Sequence, residues 1–162
     1  MAGKVKVKPD IKNLEHYQLL KGLSERELRL IRNLLLERHY KKGEQVFRRN
    51  YPQVVLYFVA QGDIKIYLDN NGEEIELIHK VQHDHFGEMA LVLESTRTAS
   101  ARAEEDSILL AMTSKDFKEF VDKNPKAGNK LLFNISRYLS ELLKMSNKRL
   151  EETQNKTDES KN

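Results

Sequence analysis

The sequence predicts an α+β fold: an antiparallel β-roll, jelly-roll-like, with helices before and after it. Three observations predict it. Apolar residues recur at helical spacing near both ends of the chain. Between them lie short strand-like runs separated by closely spaced turn residues. Two of these runs, Asp63–Asp69 and Glu74–Val81, flank Asn70-Asn71-Gly72, whose residues tolerate the positive φ that a tight hairpin requires.

Residues 1–10 read as a flexible basic tail. Leu14, Tyr17 and Leu20 then open a helical stretch. Ser24-Glu25-Arg26-Glu27 reads as a capping box, because a Ser at the N-cap and a Glu three residues on satisfy each other's backbone donors. Leu28, Ile31, Leu34 and Leu35 place this second helix's apolar residues on one face. Leu36–Tyr40, Gln45–Phe47 and Val54–Ala60 read as strands punctuated by Gly43, Asn50-Tyr51-Pro52 and Gly62. The hairpin comes next. After an interruption over 82–97, Thr98–Ala103 and Ser107–Met112 read as two more strands.

Helix returns at residue 114, capped by Thr113 or Ser114, with Phe117, Phe120 and Val121 on its apolar side. Asn124-Pro125 opens the last helix, with Asn as the cap and Pro at the first position. This helix, over 126–150, carries a broad apolar stripe. Leu132, Ile135, Leu139 and Leu142 step by three and four, the spacing of a coiled-coil seam, which suggests a homodimer through this helix. Leu131, Tyr138 and Met145 lie beside them, where they can face the roll. Residues 151–162 are polar and read as a disordered tail. One folded domain over 11–150 is the expected organisation.

Composition narrows the function. A chain of 162 residues suits one domain. A net charge of +3 gives no electrostatic argument for nucleic acid. No apolar run approaches the roughly 18 residues that span a bilayer. The N-terminus has no apolar stretch of the secretory kind. There is no cysteine, so disulfides, thiol catalysis and thiolate metal sites are excluded, and a reducing cytoplasm is the expected location. Ser95, Thr98 and Ser100 have no neighbouring His with a carboxylate, and no phosphate-cradling glycine motif of the Walker or Gly-x-Gly-x-x-Gly type is present. A non-enzyme without a cofactor is expected.

The informative segment is Phe86-Gly87-Glu88-Met89-Ala90-Leu91, followed after a short spacer by Arg97-Thr98-Ala99-Ser100. An Arg offers a planar fork matched to phosphate oxygens. Gly87 lets backbone approach an anion closely, and a helix opening at Gly87-Glu88 points free N–H groups toward it. Small Ala90 and Ala99 leave room.

In order and spacing this segment resembles the phosphate-binding cassette of the cyclic nucleotide-binding domain family. That family includes regulatory subunits of cAMP-dependent protein kinase, cyclic nucleotide-gated channels and bacterial catabolite activator proteins. The resemblance runs over about residues 14–150 and includes Gly43-Glu44 and Gln61-Gly62. It implies a β-roll with the cassette between two strands. It implies a regulatory receptor for cAMP or cGMP whose ligand-binding residues are Phe86, Gly87, Glu88, Met89, Ala90, Arg97, Thr98 and Ala99. Glu88 would accept from the ribose 2′-hydroxyl, and the Thr98 hydroxyl could bond a syn guanine's 2-amino group. Three positions depart from the pattern. Asn50 and His83 stand where glycine is frequent and Thr96 where proline is, so a somewhat looser cassette is expected.

Three rival readings find less support in the residues. His83-Asp84-His85 followed by Glu88 is similar to the first metal motif of cupins, but its spacing is short and no later His completes the site. A module that kept the fold and lost its ligand should have replaced Glu88 or Arg97, and both are present. A DNA-binding output would need a helix-turn-helix after the long helix, where about a dozen polar residues stand. The expected partners are a cyclic nucleotide and an unidentified downstream protein, without DNA or membrane.

Overall fold

The structure, a computed structural model, describes residues 9–159, so residues 1–8 of the expected basic tail lie outside it. The expected fold is borne out. Helix α1 spans Ile11–Leu14, and Asp10, expected in the basic tail, is its N-cap, accepting from the Lys12 N–H. A short 3-10 turn follows at Gln18–Leu20. Helix α2, Glu25–Leu34, starts with the expected capping box, in which Ser24 and Glu27 exchange side chain-to-backbone bonds. Eight strands come next: β1 Leu36–Tyr40, β2 Gln45–Phe47, β3 Val55–Gln61, β4 Ile64–Asn70, β5 Glu73–Lys80, β6 His85–Phe86, β7 Ser100–Ala103 and β8 Ser107–Thr113. Helices α3, Ser114–Lys123, and α4, Pro125–Glu159, close the chain.

The strands form two antiparallel sheets, ordered β1-β8-β3-β6 and β2-β7-β4-β5. In the first, β3 and β8 are buried on both faces, which is why they read as almost continuous apolar runs, while the edge strand β1 is largely exposed. Tyr57, Val59, Leu109 and Ala111 point into the roll. Their neighbours Leu56, Phe58, Leu110 and Met112 point the other way, onto a core shared with the helices. Strand β6 was missed by the sequence reading because two residues show no periodicity. It pairs with β3, with Tyr57 opposite Phe86 and Phe58 opposite His85.

Helix α4 differs most from expectation. Asn124 holds the N-cap position before Pro125, where its carbonyl accepts the first helical bond from the Gly128 N–H, but its side-chain amide donates to the Phe120 carbonyl and so closes α3. A Cβ at Gly128 would lie 2.8 Å from Val121 Cγ1, so this glycine is what lets α3 and α4 cross closely. Lys130 pairs with Glu27, and the Asn134 amide donates to the carbonyls of Leu19 and Lys21. These bonds tie the first half of α4 to the N-terminal helices. Leu131, Ile135 and Tyr138 are buried in the shared core, with Leu139 and Leu142 packed against it. Ile135 is therefore a core residue and not part of a free seam, while Met145, expected to face the roll, is half exposed.

From Leu143 through residue 155 every side chain is exposed. The helix nevertheless continues to Glu159, through residues expected to be disordered. The segment 143–159 holds no Gly or Pro and is rich in Leu, Lys, Glu, Arg and Gln, which lose little rotamer freedom in a helix.

Candidate functional site

Phe86 enters the roll and joins a cluster of three rings, stacked on Tyr57 at 5.3 Å and tilted against Phe47 at 5.9 Å between ring centroids. Because side chains alternate along a strand, His85 points the opposite way, against Phe58 and Tyr138. Gly87 follows at φ +80°, a conformation in which a Cβ would sit 2.6 Å from Arg97 Nη1 and 2.9 Å from the Val55 carbonyl oxygen. Only glycine lets the chain turn there with that guanidinium alongside. The turn leads into a 3-10 helix, Glu88–Leu91, of four residues. This single turn is shorter than the helix opening expected from sequence. The positive charge of the site therefore rests on side chains, Arg97 and Lys80, and not on a helix dipole.

Arg97 is 4% exposed. Its Nη2 donates to the Val55 carbonyl at 2.7 Å, and its guanidinium lies 4.0 Å from the centre of the Phe47 ring. Nε and Nη1 are buried with no partner. Burial holds its proton affinity below that of an ordinary arginine, opposed by Tyr57 and Glu88. Glu88 is 7% exposed. Burial raises its pKa from the usual carboxylate range, opposed by a bond to its own backbone and by the charges of Lys80 and Arg97. No ion pair within 4 Å joins Glu88 to Arg97, so the two free Arg97 nitrogens are not spent on that carboxyl group.

These groups line a cavity of about 190 Å³. Of the expected site residues, Phe86, Gly87, Glu88, Met89, Arg97, Thr98 and Ala99 line it; Ala90 does not and is packed beneath. Phe47, Gln53, Ile66, Ile78, Lys80 and Leu142 also line it, and the sequence reading had assigned them no part in binding. They come from β2, β4, β5, α4 and the β2–β3 connection, and nothing local in the sequence marks them. Tyr138 lines it from α4, where the helical stripe had placed it facing the roll. The enclosure combines a buried guanidinium, a buried carboxyl group and apolar walls. It suits an anion that also carries a hydroxyl group and a flat apolar portion.

The segment leading to Arg97 is held by backbone bonds from Gln53 to Ser95, from Arg97 to Tyr51 and from Asn50 to Arg97. An isolated β-bridge pairs Pro52 with Thr96. Asn50, at φ 69°, and His83, at φ 72°, adopt the left-handed conformation that glycine favours. The two departures from glycine thus keep the backbone shape.

The His83-Asp84-His85 run is split. The His83 ring packs against His16 and Tyr17, on a different surface from the buried His85 ring. Among the described residues no group of three or more His, Asp or Glu could hold a metal ion. No helix among them is long and apolar enough to cross a membrane.

Comparison with known proteins agrees with this geometry. The family model described as "Cyclic nucleotide-binding domain" matches residues 37–124, more than half of the chain. The cyclic AMP receptor protein of Thermus thermophilus is 32% identical over 124 residues, covering 76% of this chain and 57% of that protein. Glutaminase 1 of Bradyrhizobium diazoefficiens is 28% identical over 138 residues, covering 85% of this chain and 22% of the enzyme. The crystal structure of Thermus thermophilus catabolite activator protein superposes with a TM-score of 0.75 at 29% identity, covering 83% of this chain and 62% of that one. In each case the chain spans less than two thirds of the relative's length.

Proposed function

This chain belongs to the cyclic nucleotide-binding domain family, and we propose that it is a receptor domain for a cyclic purine nucleotide with no catalysis of its own. The observation that carries the reading is Arg97: a guanidinium buried with Nε and Nη1 unpaired, lining a cavity beside a glycine that makes space for it. A group of this kind recovers its lost hydration when an anion supplies the missing acceptors. The cyclic phosphodiester sits on Arg97, with Gly87, Ala99 and the Met89 end of the 3-10 turn around it. Ala90 supports that turn from below. Glu88 accepts from the ribose 2′-hydroxyl, and Phe86 backs the sugar. Thr98, exposed at the rim, is placed to meet a guanine 2-amino group. Retention of both Glu88 and Arg97 favours a working receptor over an interaction module that has lost its ligand.

Helix α4 is the output. Tyr138 and Leu142 line the cavity, so a nucleotide seated there makes contacts with both side chains. Those contacts differ with and without ligand, which is the condition for a ligand to shift a helix. A downstream protein reads the shift. Two copies associate weakly through the outer face of α4, where exposed Leu132, Leu143 and Leu150 and half-buried Leu139 follow heptad spacing interrupted by Ser136 and Ser146.

The test is thermal unfolding with cAMP, cGMP and AMP. Ligand at 100 times its Kd stabilises a fold by about 2.7 kcal/mol. For a domain of this size that raises Tm by roughly 5–10 °C. The expected result is a shift with a cyclic nucleotide and none with AMP; no shift with either cyclic nucleotide at millimolar concentration overturns the reading.

A further inference from the structure

We propose that Lys80 reads the base and selects a cyclic nucleotide whose purine carries a 6-oxo group over one with a 6-amino group. The inference rests on the receptor reading above and assigns a residue that lies outside the cassette.

Two cations line the cavity, Arg97 and Lys80. Arg97 lies against Phe47 of β2, whereas Lys80 ends β5 and reaches α4. Its Nζ donates to Tyr138 Oη at 3.0 Å and stands 5.6 Å from the centre of that ring. Glu88, Arg97 and Lys80 all line the cavity, with Arg97 held against Phe47 of β2 and Lys80 against Tyr138 of α4. A nucleotide with its phosphate on Arg97 and its ribose on Glu88 leaves its base free to reach the α4 side, where Lys80 stands. Ile66 and Ile78, which face each other across β4 and β5, give that base an apolar wall.

Lys80 is bonded unlike the other lysines that carry side-chain bonds across the fold. Lys41, Lys65 and Lys130 each end on a carboxylate. Lys80 has no carboxylate within 4 Å among the described residues and ends on a neutral phenol. An ammonium carries three donors, and one bond to a neutral hydroxyl is readily exchanged for a stronger acceptor.

The two purine classes differ in what they offer. A 6-oxopurine presents two adjacent acceptors, O6 and N7. A 6-aminopurine presents N7 beside an amino group whose N–H bonds would point at the ammonium. Lys80 can bond the first edge fully and is repelled by half of the second. This readout is separate from Thr98, which would meet a 2-amino group. Cyclic IMP has the 6-oxo edge without the 2-amino group, so it isolates Lys80.

The experiment is calorimetric titration of the full chain and of Lys80→Met and Lys80→Arg with cAMP, cyclic IMP and cGMP, with a thermal melt of each protein. The wild type should bind cyclic IMP roughly tenfold or more tighter than cAMP, the worth of one charge-assisted bond. Lys80→Met should bring that ratio close to one, and Lys80→Arg should keep it. A wild-type ratio near one overturns the proposal, as does a ratio that Lys80→Met leaves unchanged. If the wild type binds none of the three, the receptor reading fails and this inference fails with it. Binding with an insensitive ratio removes Lys80 alone.

Discussion

Arg97 sets a conflict between stability and binding. Its two unpaired nitrogens are destabilising in the protein by itself, because a buried donor without a partner costs about 1–3 kcal/mol. The bond to Val55 and the stacking on Phe47 offset part of this. Arg97→Met keeps an apolar body over Phe47 and removes the unpaired donors. It should therefore melt at the same temperature as the wild type or higher, while losing a hundredfold or more in cyclic nucleotide affinity, on the order of two charge-assisted bonds. Calorimetry and a melt on the same sample check both halves. A loss of more than about 1 kcal/mol in stability would show that the guanidinium is chiefly structural. Glu88 and Arg97 were legible in the sequence because the cassette keeps them in a fixed order within ten or so residues. Lys80 was not. It stands in a strand whose first residues, from Glu73 to Ile78, are all exposed, and only the fold brings its end to α4.

At the scale of elements, α4 carries the proposed output. It has 35 residues, about 50 Å at helical rise, and only its first half touches the body. Nucleotide addition should change amide protection around Tyr138 and Leu142 more than around Lys130 and Asn134, which are bonded to the N-terminal helices. Hydrogen exchange with and without ligand measures this, and protection unchanged across 126–149 would refute a moving helix. The exposed face gives a second expectation. Light scattering should show mass rising toward a dimer over the micromolar range, with Leu143→Glu, a residue 63% exposed, holding the chain monomeric. A wild type that stays monomeric at high micromolar concentration would rule out the seam. The helix itself was plain from its apolar period, and the capping box fixed the start of α2 to the residue. Which leucines of α4 turn inward was not legible, because a stripe this wide fits more than one rotation of the helix.

For the molecule as a whole, acid should weaken the fold through His85. Its ring is buried between β6 and α4, and burial, assisted by the charge of Lys80, pushes its pKa from 6.5 down to about 3. The folded form stays neutral while the unfolded chain takes up a proton below about pH 6.5. The contribution is thus complete above that pH and is lost as pH falls toward 3. About 2 kcal/mol should be gone by pH 5. His79 acts in the opposite sense. Its bond to Asp63 raises its pKa, so its contribution is present at low pH and lost as pH rises through the raised value, and it is partly exposed and screened. Denaturant melts at pH 7.5 and pH 5 should show a smaller loss for His85→Phe than for the wild type; equal losses would remove His85 as the cause. The same residue marks the limit of what a sequence states. The sequence by itself determined the fold class, the order of the longer elements, the capping of α2 and the Gly87, Glu88 and Arg97 core of the site, since periodicity, capping and cassette spacing are local properties of the chain. The tertiary structure alone decided that His85 is an inert core ring, that α4 presents Leu142 beside Tyr138 to the cavity, and that Lys80 lines it. Each of those depends on contacts between residues far apart in the chain, set by how two sheets and a helix pack together.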